Sequence, residues 1–401
     1  MNISDSNNIH ECTSCQVCAL LCKKNAISYH LNSEGFYRPT IDNDKCVDCG
    51  GCKSACYKYL TVPKYTFTDD FVHYAVASQD SNLLKETSSG GIGDILCEHL
   101  INKGYICVGV AYDYDNDIAV GKIAYQREET FAFRGSKYIQ SYSYPAFKKI
   151  LDNLQDQKIA FFGTPCQIFA LDLLLKKKKK REQCILVDFY CHGCPSINVW
   201  KKYINKIKIK NNIQQFKHIN FRDKSYGWGR FHIKATNGIY TYISPKINDE
   251  FYTLFFSNML LNDSCSNCEI RNTLISCDIR IGDFWGKKYL DNTSGMSLVS
   301  INPLSTMGMS IFEQIKHKIK FSTHNNNDCI PYQSVNQEYN IDQSIRHQLF
   351  ESLSNSNADL SKCISILWKN YNFKQKCFHL IRNIIFLMPH SIVNFIKKIR
   401  S

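Results

Sequence analysis

The chain has 401 residues, 49 Lys+Arg against 36 Asp+Glu (net +13), 44% apolar residues and 21% charged ones. That balance excludes a mainly disordered chain, and at roughly 150 residues per domain it predicts two or three domains. No apolar run reaches about 18 residues, so no spanning helix is expected. Met1 to Cys12 is polar, so no secretory leader is expected, and the twenty cysteines then read as metal or redox ligands in a reducing, cytoplasmic setting.

Eight of those cysteines form two runs, Cys12, Cys15, Cys18, Cys22 and Cys46, Cys49, Cys52, Cys56, each spaced C-x2-C-x2-C-x3-C and offset by 34 residues. This is the bacterial ferredoxin spacing for two 4Fe–4S clusters, in which the fourth cysteine of each run serves the other cluster. Three thiolates on a tight loop take three corners of a cube, and the fourth must come from elsewhere. The first cluster is then assigned to Cys12, Cys15, Cys18 and Cys56, and the second to Cys46, Cys49, Cys52 and Cys22. Two zinc knuckles are the alternative, but zinc sites use pairs of ligands, not repeated triplets. The proline that usually follows the fourth cysteine is replaced by Lys23 and Tyr57. Residues 1–62 are assigned to this small domain, whose clusters would serve as its core. Residues 1–60 hold six acids and six bases, so the positive excess lies beyond them.

From about residue 70 short β-branched or aromatic runs alternate with helical ones. Strands are predicted at 73–78, 105–113, 158–163 and 184–191, with 121–126 as a hairpin partner. Helices are predicted after the Gly-rich turn at 88–91, from Pro165, and from Pro195. Strand, helix, strand with short joints is a parallel βαβ reading. After about 215 the strands read as antiparallel. The fold class is therefore α+β, or mixed α/β: a small dicluster domain, a mixed-sheet body and a helical tail. The Lys176–Lys180 run reads as a solvated helix end, not a nucleic-acid patch.

Cys166 follows one predicted strand and Cys191 ends the next. Ligands in open α/β sheets bind at such carboxyl ends. With Cys265 and Cys268 they offer a ligand set for a third cluster, the four sulfurs facing a common centre at about 2.3 Å. Cys194 and Cys277 are spare candidates. Buried cysteines acting as small hydrophobes are an equal alternative. The turn Ser88, Ser89, Gly90, Gly91 could hold a phosphate at a helix start, or simply cap the helix.

The motifs SSGG (88–91), GSKYIQS (135–141), GTPCQ (163–167), CHGCPS (191–196), CSNC (265–268) and DIRIGDFWG (278–286) together resemble the coenzyme F-420 hydrogenase/dehydrogenase beta-subunit family. The resemblance covers roughly residues 70–310 and splits the body into parts at 70–150 and 155–320. It implies an oxidoreductase that binds FAD beside a 4Fe–4S cluster and passes electrons between a hydride carrier and one-electron centres. It assigns Cys166, Cys191, Cys265 and Cys268 to that cluster. It makes Ser88, Ser89, Gly90 and Gly91 flavin-phosphate candidates, and Ser136, Lys137 and Tyr138 candidates for the ring. Asp283 and Trp285 are placed near cluster or flavin. Lys137 is the expected cation at the flavin's reducible end and His192 the expected proton carrier. Bacterial members are associated with surface-polysaccharide synthesis, which implies a small-molecule substrate and a redox partner protein or hydride carrier. The alternative is a relay subunit without a substrate of its own.

The segment around Asn325–Asn327 reads as a linker to a tail, 325–401. Residues 362–401 carry eight Lys+Arg and no acid. Its apolar stretch and the following SIVNFIKKIRS read either as basic amphipathic helices at the periphery of an anionic membrane or as helices capping the body.

Overall fold

The computed structural model describes all residues except 1, 4–10, 63–70, 231, 356–358, 389–391 and 393–401. The two cysteine loops flank a hairpin of β1 (Ile27–Leu31) and β2 (Tyr37–Ile41). The body strands are β3 (His73–Ser78), β4 (Tyr105–Asp113), β5 (Ile118–Ala124), β6 (Ser141–Tyr142), β7 (Lys158–Phe162) and β8 (Cys184–Phe189). They continue as β9 (His218–Asp223), β10 (His232–Thr236), β11 (Thr241–Ile243), β12 (Ile279–Asp283), β13 (Ser297–Ile301) and β14 (Ile319–His324).

One nine-stranded sheet runs β14-β3-β13-β12-β8-β7-β4-β5-β6, and β11-β10-β9 form a separate antiparallel sheet. The central β4, β7, β8 and β12 are parallel. Because side chains alternate along a strand, β7 feeds two cores. Ile159 and Phe161 meet Phe147, Ile168 and Leu171 on one face. Ala160 and Phe162 meet the opposite core with Ile95, Leu100 and Phe312. Apolar runs such as KIAFF and CILVDF are what a sheet covered on both faces needs. A third, aromatic core joins Trp200, Phe221, Phe251 and Phe255 beside the small sheet.

The cysteine segment is tied to this body. Gln16, held at φ 66°, accepts from the amides of Ser143 (2.7 Å) and Tyr144 (2.9 Å), where a helix starts. Its Nε2 donates to the Ser141 carbonyl at 2.8 Å. Asn262 Nδ2 donates to the Cys12 carbonyl at 3.0 Å, which brings the 262–268 loop beside the first cysteine loop.

The helix after the Gly-rich turn starts at Ile92, directly behind the turn, with Gly91 at φ 85° before it. Two expectations are corrected. The hairpin partner of β4 is β5 at 118–124, three residues earlier than expected. The residues around Asn325–Asn327 are no linker. They enter a short helix, Asn326–Cys329, with Cys329 buried and His73 Nε2 2.8 Å from Asn326 Oδ1. The preceding 319–324 is the edge strand of the main sheet. In the tail, helix Phe373–Leu387 buries none of its residues and exposes Phe378, Leu380, Ile381 and Leu387. Apart from Ile392, the SIVNFIKKIRS segment lies outside the described residues. Among the described residues no helix is long and apolar enough to cross a membrane.

Candidate functional site

The two cysteine loops share one turn. Ser14 (φ 59°) and Gln16 (φ 66°) adopt left-handed backbone in the first, and Asp48 (φ 48°) and Gly50 (φ 73°) do so at the equivalent places in the second. Such turns aim successive amides at one centre, a nest for negative charge. Ser14 N–H reaches Cys12 Sγ at 3.3 Å. The amides of Val17 and Lys58 do the same for Cys15 and Cys56.

Cys12, Cys15, Cys18 and Cys56 line a single cavity. Burial pushes Cys56 up to about 11, and burial followed by the neighbouring thiols raises Cys15 and Cys18 further. Tyr29 Oη sits 3.0 Å from Cys18 Sγ. In the second set Cys22 and Cys49 both act on Cys52. Cys22 Sγ accepts from Ala26 N at 3.3 Å, and Cys46 Sγ accepts from Asn2 Nδ2 at 3.5 Å.

In the body, β7 and β8 are hydrogen-bonded neighbours, so Cys166 and Cys191 leave adjacent strands. Cys166 lies in the first turn of helix Pro165–Lys177, with Thr164 Oγ1 3.2 Å from its sulfur. Cys265 and Cys268 act on Cys166, as does Cys15 of the first loop. Burial pushes Cys191 and Cys265 up to about 12. Cys194 stands in the same group, its amide 3.4 Å from Cys265 Sγ. Cys277 does not, being buried against Leu274 O and near Asp188 and Arg280.

Among the described residues no three His, Cys, Asp or Glu side chains close around a single ion. A four-iron cube presents a separate iron to each thiolate, so it asks for a wider set.

The turn at 88–91 and the loop at 135–138 meet, Ser136 N donating to Ser88 Oγ at 2.9 Å. Beyond them lies a polar aromatic wall. Arg222 pairs with Asp283 and donates to Tyr138 Oη at 3.2 Å. Trp228 Nε1 donates to Asp283 Oδ1 at 2.8 Å. Trp228 and Trp285 stack at 4.9 Å and 7°, with the Arg222 guanidinium 5.1 Å from the Trp285 ring. Lys224 Nζ binds the carbonyls of Leu84, Ser89 and Ser294, and burial pulls it down to about 8.

Four expected site residues have other tasks in the structure. Ser89 Oγ donates to Met296 O at 2.8 Å, and Gly90 N to Ser297 Oγ at 2.9 Å. Both close the turn onto β13 rather than offering donors to a phosphate. Lys137 is buried enough to be pulled down to about 7. Its ammonium spends all three protons on the carbonyls of Ala132 (2.9 Å), Phe133 (3.0 Å) and Arg134 (2.9 Å). His192 has Asn258 Oδ1 at 2.7 Å from Nε2, and Ser334 and Tyr339 hydroxyls at 3.3 and 3.2 Å from Nδ1. Burial lowers its pKa. These contacts engage Lys137 and His192 with protein partners.

Residues 156–328 match the family model for the C terminus of the coenzyme F420 hydrogenase/dehydrogenase beta subunit. The matched segment, less than half of the chain, is similar to this family. It contributes Cys166, Cys191, Cys265 and Cys268 as well as Arg222, Trp228, Asp283 and Trp285. Solved structures similar to the chain include one from the F420-reducing [NiFe] hydrogenase complex of Methanosarcina barkeri. It is 17% identical, with a TM-score of 0.47, covering 79% of this chain and 98% of that one. No curated protein matches.

Arg222, Lys224, Trp228 and Tyr29 carry no sequence signal of their own, because their roles arise from strands and loops distant along the chain. Tyr57 did carry one, as the departure from the usual proline.

Proposed function

We propose that the protein is an iron–sulfur flavoprotein oxidoreductase with three 4Fe–4S clusters and one FAD. The observation that carries this reading is the cavity shared by Cys12, Cys15, Cys18 and Cys56, a crossed set that only the ferredoxin spacing explains. The second cluster falls to Cys22, Cys46, Cys49 and Cys52, and the third to Cys166, Cys191, Cys265 and Cys268. Cys49 is exposed, so the second cluster is the entry for a redox partner. Cys15 of the first set acts on Cys166 of the body set, which orders the path as second, first, third.

When bound, a flavin exchanges the two electrons of a hydride with one-electron centres. Ser88, Ser136 and Tyr138 would line its place, with Trp285 as a stacking face and Arg222 as the fixed cation beside it. Gly91 stays a candidate for the phosphate end. The resemblance implies an oxidised metabolite of surface-polysaccharide synthesis as substrate. A second reading, an electron relay for a partner enzyme, is supported by the occupation of Lys137 and His192 by protein partners. The basic tail with its exposed apolar helix suits peripheral membrane contact.

Anaerobic protein loaded with FAD tests the flavin site. Wild type is expected to retain about one flavin per chain, and Trp285→Ala to lose it. Unchanged retention in Trp285→Ala, Gly91→Val and Ser136→Trp together would refute this placement. Organic turnover by the isolated chain would separate the enzyme from the relay.

A further inference from the structure

Tyr57 follows the last cysteine of the second run and is 7% exposed. It forms a small core with Phe169 and Ile270, and Cys166 and Cys268 pack against that same core. Phe169 meets its ring edge-on at 6.3 Å, and Lys58 Nζ lies 5.0 Å from the ring centroid. The ring is thus fixed from several sides. Among the described residues its hydroxyl has no hydrogen-bond partner. A buried phenol left in that state is costly.

The thiols acting most strongly on this hydroxyl are Cys268, Cys166 and Cys265, ahead of Cys56. Tyr29 displays the arrangement within the same chain. Its oxygen accepts from Ala19 N at 3.1 Å, which leaves its proton for Cys18 Sγ at 3.0 Å.

We propose that Tyr57 is a positioning residue that donates its O–H to the sulfur shell of the third cluster, on the Cys268 side. This rests on the third cluster proposed above. A hydrogen bond to cluster sulfur favours the more negative, reduced state and raises the potential. Tyr57 therefore favours the reduced state of the third cluster. The two tyrosines divide the work: Tyr29 tunes the first cluster and Tyr57 the third. A proline after Cys56 could not do this, having no donor.

Potentiometric titration followed by electron paramagnetic resonance, on the anaerobic full chain, tests the proposal. Tyr57→Phe keeps the ring and removes the donor. The third cluster's one-electron equilibrium is expected to shift about tenfold toward the oxidised form, a fall of about 59 mV. Tyr29→Phe should move only the first cluster. Incorporation of 3-fluorotyrosine at position 57 strengthens the donor and should raise the third potential, which decides the case if the phenylalanine variant loads poorly. Three clusters present with an unmoved third potential in both variants would overturn the role of Tyr57 alone. A shift confined to the first cluster would overturn it as well. Wild-type protein with about eight irons would instead remove the third cluster, and this inference with it.

Discussion

Arg280 is the residue through which the main sheet holds the body cysteines. It is 1% exposed and sits on β12. Its guanidinium binds Asp188 of β8 bidentately at 2.8 and 2.6 Å. It also donates to the carbonyls of Arg271 at 2.7 Å and Thr273 at 2.8 Å. Arg271 in turn donates to the His192 carbonyl at 3.0 Å and to the Cys265 carbonyl. One buried pair thus fixes the loop between Cys265 and Cys277. Arg280→Lys keeps the charge but replaces a planar fork by a point donor on a shorter reach. It can hold the carboxylate and at most one carbonyl. Loss of two of the four bonds, at about 1–1.5 kcal/mol each, costs about 2–3 kcal/mol. Full truncation would cost about 3–5 kcal/mol by leaving Asp188 buried and unpaired. The assay is guanidinium unfolding alongside iron release to a chelator, each cluster followed by its resonance signal. The lysine variant should unfold earlier and lose the third cluster first, with the ferredoxin pair unaffected. An unchanged midpoint and an unchanged order of loss would refute the assignment of Arg280 as the anchor.

Cys268→Ser should remove about four irons, whereas Cys194→Ser, near the same group but outside the proposed ligand set, should keep the full complement in iron assays. Gly90→Ala would place a Cβ 2.0 Å from Val76 O and 2.7 Å from Ser297 N, both strand backbone. It should cost about 3 kcal/mol or more in denaturant unfolding, against about 1 kcal/mol for Gly104→Ala, where nothing lies within 4 Å. Burial pushes Asp249 up to about 6, above its unfolded value of about 4, so the folded state holds the proton more tightly. The stability it contributes is complete below about pH 4 and falls as pH rises through about 6, and Asp249→Asn should flatten that slope in hydrogen-exchange protection of helix Glu250–Phe256.

The sequence carried the local parts well, because their signals are local. β4 falls at 105–113 and β3 at 73–78, as their β-branched and aromatic runs indicate. The parallel pairing of β7 with β8 followed from strand, helix, strand with short joints. The edge strand β14 was missed because IKFSTH exposes most of its residues and so lacks a buried-strand pattern. The residues around Asn325–Asn327 misled for a related reason: three polar amides in a row resemble a linker, and only His73, some 250 positions earlier, makes Asn326 a fixed acceptor. Lys137 and His192 were legible as unusual residues in motifs, but their partners were not. The three carbonyls around Lys137 come from the end of a short 3-10 helix, Glu128–Phe133, that no periodicity announced. The wall of Arg222, Trp228 and Asp283 is built from β9, a loop and β12, and sequence spacing says nothing of such meetings.

Three cubes and one flavin in a single chain are the central claim. Anaerobic purification with iron, sulfide and flavin quantitation tests it most directly. About twelve irons, twelve sulfides and one FAD per chain are predicted. About eight irons, or a fully iron-loaded chain that retains no flavin, would contradict it.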